Sequence, residues 1–286
     1  MNTEVRSRVT LTNELRLAIP NGEIFLVYQP QVRVRDGRII GVEALVRWHH
    51  PTRGVLMPEC FLPVAEGSGL IAPLSEWVLR EACRQGRLWL DAGTMLGPIS
   101  VNLASAHFKA PLELENMVLT ILRVTGLPPD LLDLEITEST LINISSENGE
   151  MIQRMREAGI RFSLDDFGTG YSSLNYLRRF SIDRIKIAHE FISELATSAE
   201  AASIVKLILG LSRSFGKEVI AEGVETPEQF NLLQDWDCQN VQGFFFGGPV
   251  SAEAIGPILK AGRITSSKPT VPIETTCPDL MEYNHR

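Results

Sequence analysis

The chain has 286 residues, 44% hydrophobic and 22% charged, and its 35 Asp and Glu against 27 Lys and Arg give a formal net charge of −8. That composition excludes a disordered, collagen-like or disulfide-scaffold protein, and the length suits one large domain or two small ones. An acidic chain without a basic cluster is a poor non-specific nucleic-acid binder, so no DNA partner is expected. If the protein handles phosphates, a metal ion must supply the neutralising charge.

Residues 1–20 show helical spacing at Leu11, Leu15 and Ile19 but no apolar core of a signal peptide, and the segment is expected to pack on the bottom of the domain that follows. Ile24–Gln29 is β-branched and aromatic and reads as a strand; Ile39–Trp48 is the next, and the Asp36-Gly37 turn between them predicts an antiparallel hairpin. Six further strands are predicted at Ile99–Ala104, Leu131–Thr137, Ile160–Phe167, Ile182–Ala188, Glu218–Val224 and Val241–Phe246. Helical patterns fall between them. In Pro73–Gly93, Leu74, Trp77, Val78, Ala82 and Trp89 share a face; in Glu200–Gly216, Ile204, Leu207, Ile208, Leu211 and Phe215 do so; Thr226-Pro227 opens another helix.

Strand–helix alternation implies parallel strands, and two strands plus six make the eight that close a barrel. The fold class is therefore α/β, a (β/α)8 TIM-type barrel with an antiparallel first strand. An open doubly wound sheet is the alternative, weakened by the lack of a G-x-G-x-x-G after any strand. The domain reading is a helical extension over 1–20, the barrel over 21–262, and a Pro-, Ser- and Thr-rich tail over 263–286 that is expected to be poorly ordered. No C-x-x-C pair occurs among Cys60, Cys83, Cys238 and Cys277, which read as reduced thiols of a cytoplasmic protein. No apolar run is long enough to span a membrane, and no internal repeat is visible.

Polar residues inside the strand patterns carry the functional signal, because a buried carboxylate is costly unless it is paired or binds a metal. Glu43, Asn102, Glu135, Asp165, Asp166, Lys186, Glu222 and Gln242 all stand in or at the end of predicted strands. In a parallel barrel the strand C-termini share one face, which is where barrel active sites lie. Five carboxylates and an amide oxygen would converge there, a donor set suited to hard cations such as Mg²⁺ or Mn²⁺. Taken singly, none is specific. Glu43 and Glu135 also suit an exposed strand face, Asp165-Asp166 a strand-end turn, and Glu225 a partner for the next helix's dipole. His49-His50, adjacent and next to Pro51, read as structural or exposed. Asp165-Asp166 is the sharpest clue: at a strand end the backbone can present both carboxylates to two metals. Gly168 and Gly170 follow as a mobile loop, with Ser172-Ser173 as a cap for the next helix. Lys186 would offset the cluster's charge, or hold a nucleophilic water or phosphate.

These residues sit in recognisable motifs. YQP (Tyr28–Pro30), EALVRWHHP with Glu43-Ala44-Leu45, PECFLPVAEGSGLI, VNLA, LEITES, DDFGTGYSSLNYL, AEGVET and QGF follow one another in the order of the EAL-domain cyclic di-GMP phosphodiesterases, which the chain resembles from about Phe25 to Pro249. The resemblance implies hydrolysis of cyclic di-GMP to linear pGpG with two Mg²⁺ or Mn²⁺ ions. It implies Glu43, Asn102, Glu135 and Asp165 as ligands of a first metal and Asp165 and Asp166 as ligands of a second. Glu222 resembles the general base or water-positioning residue, and Lys186 would touch the metal-bound water. Gln29, Arg47 and Gln242 resemble substrate or supporting contacts, Glu138 the anchor of the DDFG loop, and Glu225 a support residue. A homodimer is implied too. The family usually reads Lys-Ile-Asp where this chain has Lys186-Ile187-Ala188, so a carboxylate near the second metal is missing. The rival reading is a catalytically silent cyclic di-GMP receptor acting through a protein partner; a pure interaction module is a third. Regulation would come from a partner, self-association or expression, or from domains of a longer chain.

Overall fold

A computed structural model of the chain describes residues 2–142, 145–170 and 182–264. Among these are nine strands: β1 (Ile24–Arg33), β2 (Ile39–His50), β3 (Gly54–Leu56), β4 (Ile99–Asn102), β5 (Leu132–Thr137), β6 (Arg161–Phe167), β7 (Arg184–Ile187), β8 (Glu218–Ala221) and β9 (Asn240–Val241). Eight of them close a barrel. β1 runs antiparallel to both neighbours, β2 and β9, and the other neighbours pair in parallel from β2 through β4 to β9. The fold is the (β/α)8 barrel with a reversed first strand. The Asp36-Gly37 turn makes the reversal: Gly37 adopts φ 67°, a left-handed conformation suited to glycine. β3 is an extra strand on the outer edge of β2; three residues are too few for a sequence periodicity.

The barrel strands alternate between two buried environments. Leu134, Ile136, Phe162, Leu164, Ile185 and Ile187 are at most 1% exposed and belong to the apolar core. Their strand neighbours Asp133, Glu135, Ser163, Asp165, Arg184 and Lys186 meet one another across the lumen. The covering helices follow their apolar stripes. α2 (Pro58–Ser68) precedes α3 (Ile71–Asp91), which buries Leu74, Val78, Ala82 and Trp89, and α4 (Pro111–Thr125) buries Leu114, Val118 and Ile121. Then come α5 (Glu138–Ile142), α6 (Ser146–Glu157), α7 (His189–Ser193), α8 (Ala199–Ser214), α9 (Pro227–Asp235) and α10 (Ala252–Ala261). Ser198 caps α8, and Thr226 with Gln229 forms a capping box at α9, satisfying amide groups that a helix start leaves open.

Several expectations need correction. The helix α1 (Asn2–Ala18) does not pack on the barrel floor. Its Glu14 lies 3.2 Å from His50 and 3.4 Å from Arg53, beyond the end of β2 on the mouth side. The reversed β1 is the reason: its N-terminal end lies where the parallel strands finish, so the preceding helix arrives there. The last strand is only Asn240–Val241, not Val241–Phe246. Gly243 at φ 158° passes so close to Val224 that a Cβ would stand 2.2 Å from its carbonyl oxygen. The chain turns there, stacking Phe245 on Phe230 and setting Phe246 edge-on to both. β8 likewise stops at Ala221, before Glu222. Cys83 and Cys238 are free and buried, whereas Cys60 is disulfide-bonded, against the reading of four reduced thiols. The expected cap at Ser172-Ser173 and the expected tail from Thr265 onward lie outside the described residues. Among the described residues no helix is long and apolar enough to cross a membrane.

Candidate active site

The strand C-termini bring the polar residues together around Lys186. Its ammonium lies 2.6 Å from Glu135 Oε2, 2.7 Å from Glu222 Oε1, 3.3 Å from Asp165 Oδ1 and 3.4 Å from Glu43 Oε2. Parallel register sets the heights: Asn102 pairs with Glu135, and Thr137 with Asp165. Antiparallel register places Gln29 opposite Glu43. Lys186 is 1% exposed, a burial that only its ring of anions makes tolerable. Burial works against its charge, but Asp165, Glu135, Glu222 and Glu43 together raise its pKa well above the usual lysine range.

Glu43 is held from both sides. Asn102 Nδ2 donates to its Oε1 at 2.9 Å and Gln242 Nε2 to its Oε2 at 2.6 Å. Burial alone would raise its pKa, yet Lys186 and these two amides bring it below the ordinary carboxylate range. Gln242 also donates to Gln29 Oε1 at 3.1 Å, and Gln29 donates to the Gly247 carbonyl at 3.1 Å. Glu135 and Glu222 are pushed the other way. Burial, with neighbouring carboxylates, raises both well above the ordinary range despite Lys186. Burial and Asp165 raise Asp166 as well.

The Asp165-Asp166 pair does turn at the end of β6. Asp166 takes a left-handed φ of 53°, a conformation that Asp tolerates better than most side chains, and its N–H donates to Asp165 Oδ1 at 3.0 Å. One oxygen each from Asp165, Asp166 and Glu222 lie within 4.8 Å of one another. Glu222, read from the sequence as a base, thus stands with the two aspartates as a possible ligand. Glu138 Oε2 accepts from the N–H groups of Gly168 (3.1 Å) and Gly170 (3.3 Å), fastening the loop after β6. Gly168 has φ 106°, and a Cβ there would stand 2.8 Å from Phe191.

The remaining candidates fall outside this cluster. Arg47 is buried and donates to the Val46 carbonyl at 2.8 Å. Its pKa is lowered by burial, with Glu59 and Glu43 opposing. Glu225 is half-exposed at the rim, 4.0 Å from His189 Nε2, and it precedes the N-cap of α9 rather than occupying its first turn. Ala188 is 1% exposed and starts α7, so position 188 offers no carboxylate. His49 is exposed, and His50 is tied to Glu14 and accepts from the Thr52 N–H at 3.2 Å. Sequence reasoning missed a second polar set below the site: Gln31, Ser100, Ser163 and Arg184, joined by Asp133. Serine and glutamine inside strand patterns give little signal.

The donor chemistry fits hard cations. Five carboxylates share one mouth, Glu43, Glu135 and Asp165 buried, Glu222 partly buried and Asp166 exposed, and the Lys186 ammonium contacts all but Asp166. Glu135 Oε1 is buried without a hydrogen-bond partner, an orphan that a bound cation would satisfy.

Fold and site together define a (β/α)8 barrel with an acidic, metal-competent mouth. Residues 12–249 match the EAL domain model, and the chain belongs to that family. It is 43% identical over 255 residues to MucR of Pseudomonas aeruginosa, a bifunctional diguanylate cyclase/cyclic di-GMP phosphodiesterase, covering 89% of this chain and 37% of MucR. It is 38% identical to the cyclic di-GMP phosphodiesterase NbdA of the same organism, covering 91% of this chain and 33% of NbdA. The chain thus spans about a third of the length of these curated relatives. Among solved structures it is similar to the PaMucR phosphodiesterase in its c-di-GMP complex, with a TM-score of 0.83 over 86% of this chain and 99% of that one, at 43% identity. It is also similar to the EAL enzyme Bd1971 in its cAMP- and cyclic-di-GMP-bound form, with a TM-score of 0.84 over 89% of this chain and 69% of that one, at 27% identity.

Proposed function

We propose that this chain is a cyclic di-GMP phosphodiesterase that hydrolyses the cyclic dinucleotide to linear pGpG. The observation that supports it most is the convergence of Glu43, Glu135, Asp165, Asp166 and Glu222 around Lys186 in a member of the EAL family. Water adds to phosphorus, one P–O3′ bond breaks, and the proton lost by the water is matched by one gained at the leaving oxygen.

Glu43, Asn102, Glu135 and Asp165 would hold one Mg²⁺ or Mn²⁺, and Asp165 and Asp166 a second, with Glu222 close enough to the aspartates to join them. Bound there, such ions lower the pKa of water and stabilise charge on the phosphate and leaving oxygen. Glu222 takes the water's proton. Lys186 keeps the carboxylates spaced and supplies a fixed positive charge beneath the reacting phosphate. Gln29, Gln242 and Arg47 border the site and orient the substrate, and Glu138 fixes the loop that follows Asp166. The intact carboxylate set weighs against the silent-receptor reading. The test is chromatography of cyclic di-GMP incubated with the protein and Mn²⁺: pGpG supports the proposal, and tight binding without product supports the receptor.

A further inference from the structure

Barrel interiors are ordinarily filled by layers of Val, Ile and Leu. The layer directly below this site is polar. Ser163 Oγ donates to Asp133, at 2.9 and 2.8 Å from its two oxygens, and Arg184 NH1 donates to Asp133 Oδ2 at 3.0 Å. Arg184 NH1 also reaches Gln31 Oε1 at 3.4 Å; Gln31 Nε2 donates to Ser100 Oγ at 3.4 Å, and Ser100 Oγ to Asp133 Oδ2 at 3.4 Å. All five residues are at most 3% exposed. Outside the ring, Arg184 pairs with Glu218 at 2.9 Å.

Each member stands two residues from a site residue on the same strand: Gln31 from Gln29, Ser100 from Asn102, Asp133 from Glu135, Ser163 from Asp165, and Arg184 from Lys186. Side chains two apart on a strand share a face, so the ring lies one storey beneath the site. Ladder hydrogen bonds join only neighbouring strands. This ring joins β5 to β7, β1 to β7 and β1 to β4, none of which are neighbours. It therefore ties side chains together across the lumen, between strands that no ladder joins directly. Stability alone does not call for such a layer, because well-packed apolar residues often replace a buried ion pair without loss.

We infer that this storey is a positioning layer, in which the Asp133–Arg184 pair holds Glu135 and Lys186 in the arrangement that metal binding and catalysis need. The inference rests on the metal-dependent reading of the site above. Neither residue touches the reacting atoms; both act through the residues above them.

The test replaces the layer by apolar filler: Asp133→Leu, Ser163→Ala and Arg184→Met together. Three readouts are taken: the thermal midpoint, Mn²⁺ affinity by calorimetry with the metal alone, and kcat and KM for cyclic di-GMP. The expected result is an unchanged midpoint, KM within about twofold, and a loss of about 10–100-fold in Mn²⁺ affinity and kcat, as for residues that orient metal ligands from behind. A stable variant with unchanged Mn²⁺ affinity and kcat overturns the inference. If the triple variant does not fold, Ser163→Ala alone decides, with a several-fold loss of Mn²⁺ affinity expected and no loss contradicting. An unsubstituted protein that binds Mn²⁺ but makes no pGpG sinks the phosphodiesterase reading alone, since the metal titration still tests the layer. An unsubstituted protein that binds no Mn²⁺ sinks both.

Discussion

Glu43 reaches Asn102 on β4, Lys186 on β7 and Gln242 just past β9 through its side chain alone, so its loss should remove a ligand without breaking a ladder. Glu43→Ala and Asp165→Ala are each expected to lower turnover by at least about a hundredfold, the upper end of what orienting residues alone supply. Circular dichroism should show the fold intact, because each change also relieves repulsion among the carboxylates. Near-normal turnover at saturating metal would remove the assigned roles. Glu222→Gln should keep KM while kcat falls by about 10²–10⁴, the range for general acid–base catalysis. Steady-state kinetics distinguishes this from the opposite outcome, a raised KM with kcat intact. At Ala188 the expectation runs towards gain. Ala188→Asp would restore a carboxylate at the start of α7, beside the acidic mouth. A charge-assisted contact is worth on the order of 1–3 kcal/mol, or roughly a five- to hundredfold lower metal requirement. Metal titrations of initial rate that superimpose would make position 188 a spectator. Glu43, Asp165 and Glu222 were legible because each is polar in or next to an apolar strand run. The serines below them were not: a serine costs little in a strand and marks nothing until Asp133 is seen between Ser163 and Arg184.

At the scale of elements, the loop after β6 depends on one side chain. Glu138, at the start of α5, accepts from the amides of Gly168 and Gly170 and so ties the end of β5 to the loop just after Asp166. Glu138→Ala leaves both amides without that acceptor. Hydrogen exchange at Gly168 and Gly170 should accelerate, and kcat should fall by about tenfold to a hundredfold if Asp166 drifts by an ångström. Unchanged exchange would show that the loop holds itself. The parallel strands β4 to β7 were readable because burial on both faces gives short β-branched runs. The hairpin was readable from Asp36-Gly37. The last strand was misjudged because Phe244–Phe246 looks like a strand by composition, while Gly243 obliges the chain to turn against Val224. The position of α1 follows from the reversal read from Asp36-Gly37: an antiparallel first strand begins where the parallel strands finish, so the helix before it arrives at the mouth and not at the floor.

At the scale of the whole molecule, the −8 charge and the acidic mouth make folding and metal binding interdependent. Glu135 and Glu222 have folded pKa values raised well above 4.5, so the metal-free folded protein holds protons there that the unfolded chain releases. Their contribution to stability is therefore full below about pH 4.5 and is lost as pH rises through their folded values. Glu43, with a lowered pKa, changes stability only below 4.5, and Lys186, raised above 10.5, only above that, so neither alters the sign in between. Without metal, the thermal midpoint should fall as pH rises above about 4.5. Mn²⁺, replacing those protons, should raise the midpoint more at pH 8 than at pH 5, by roughly 2–4 °C per kcal/mol. A metal-induced shift that is the same at both values would mean that the carboxylates are not the ligands.

The most direct test of the central claim is the product formed from cyclic di-GMP with the purified chain, with Mn²⁺ and then with excess chelator. The account requires pGpG with metal, none after chelation, and recovery when Mn²⁺ is restored. Hydrolysis that persists in chelator, or an intact substrate at saturating Mn²⁺, would contradict it.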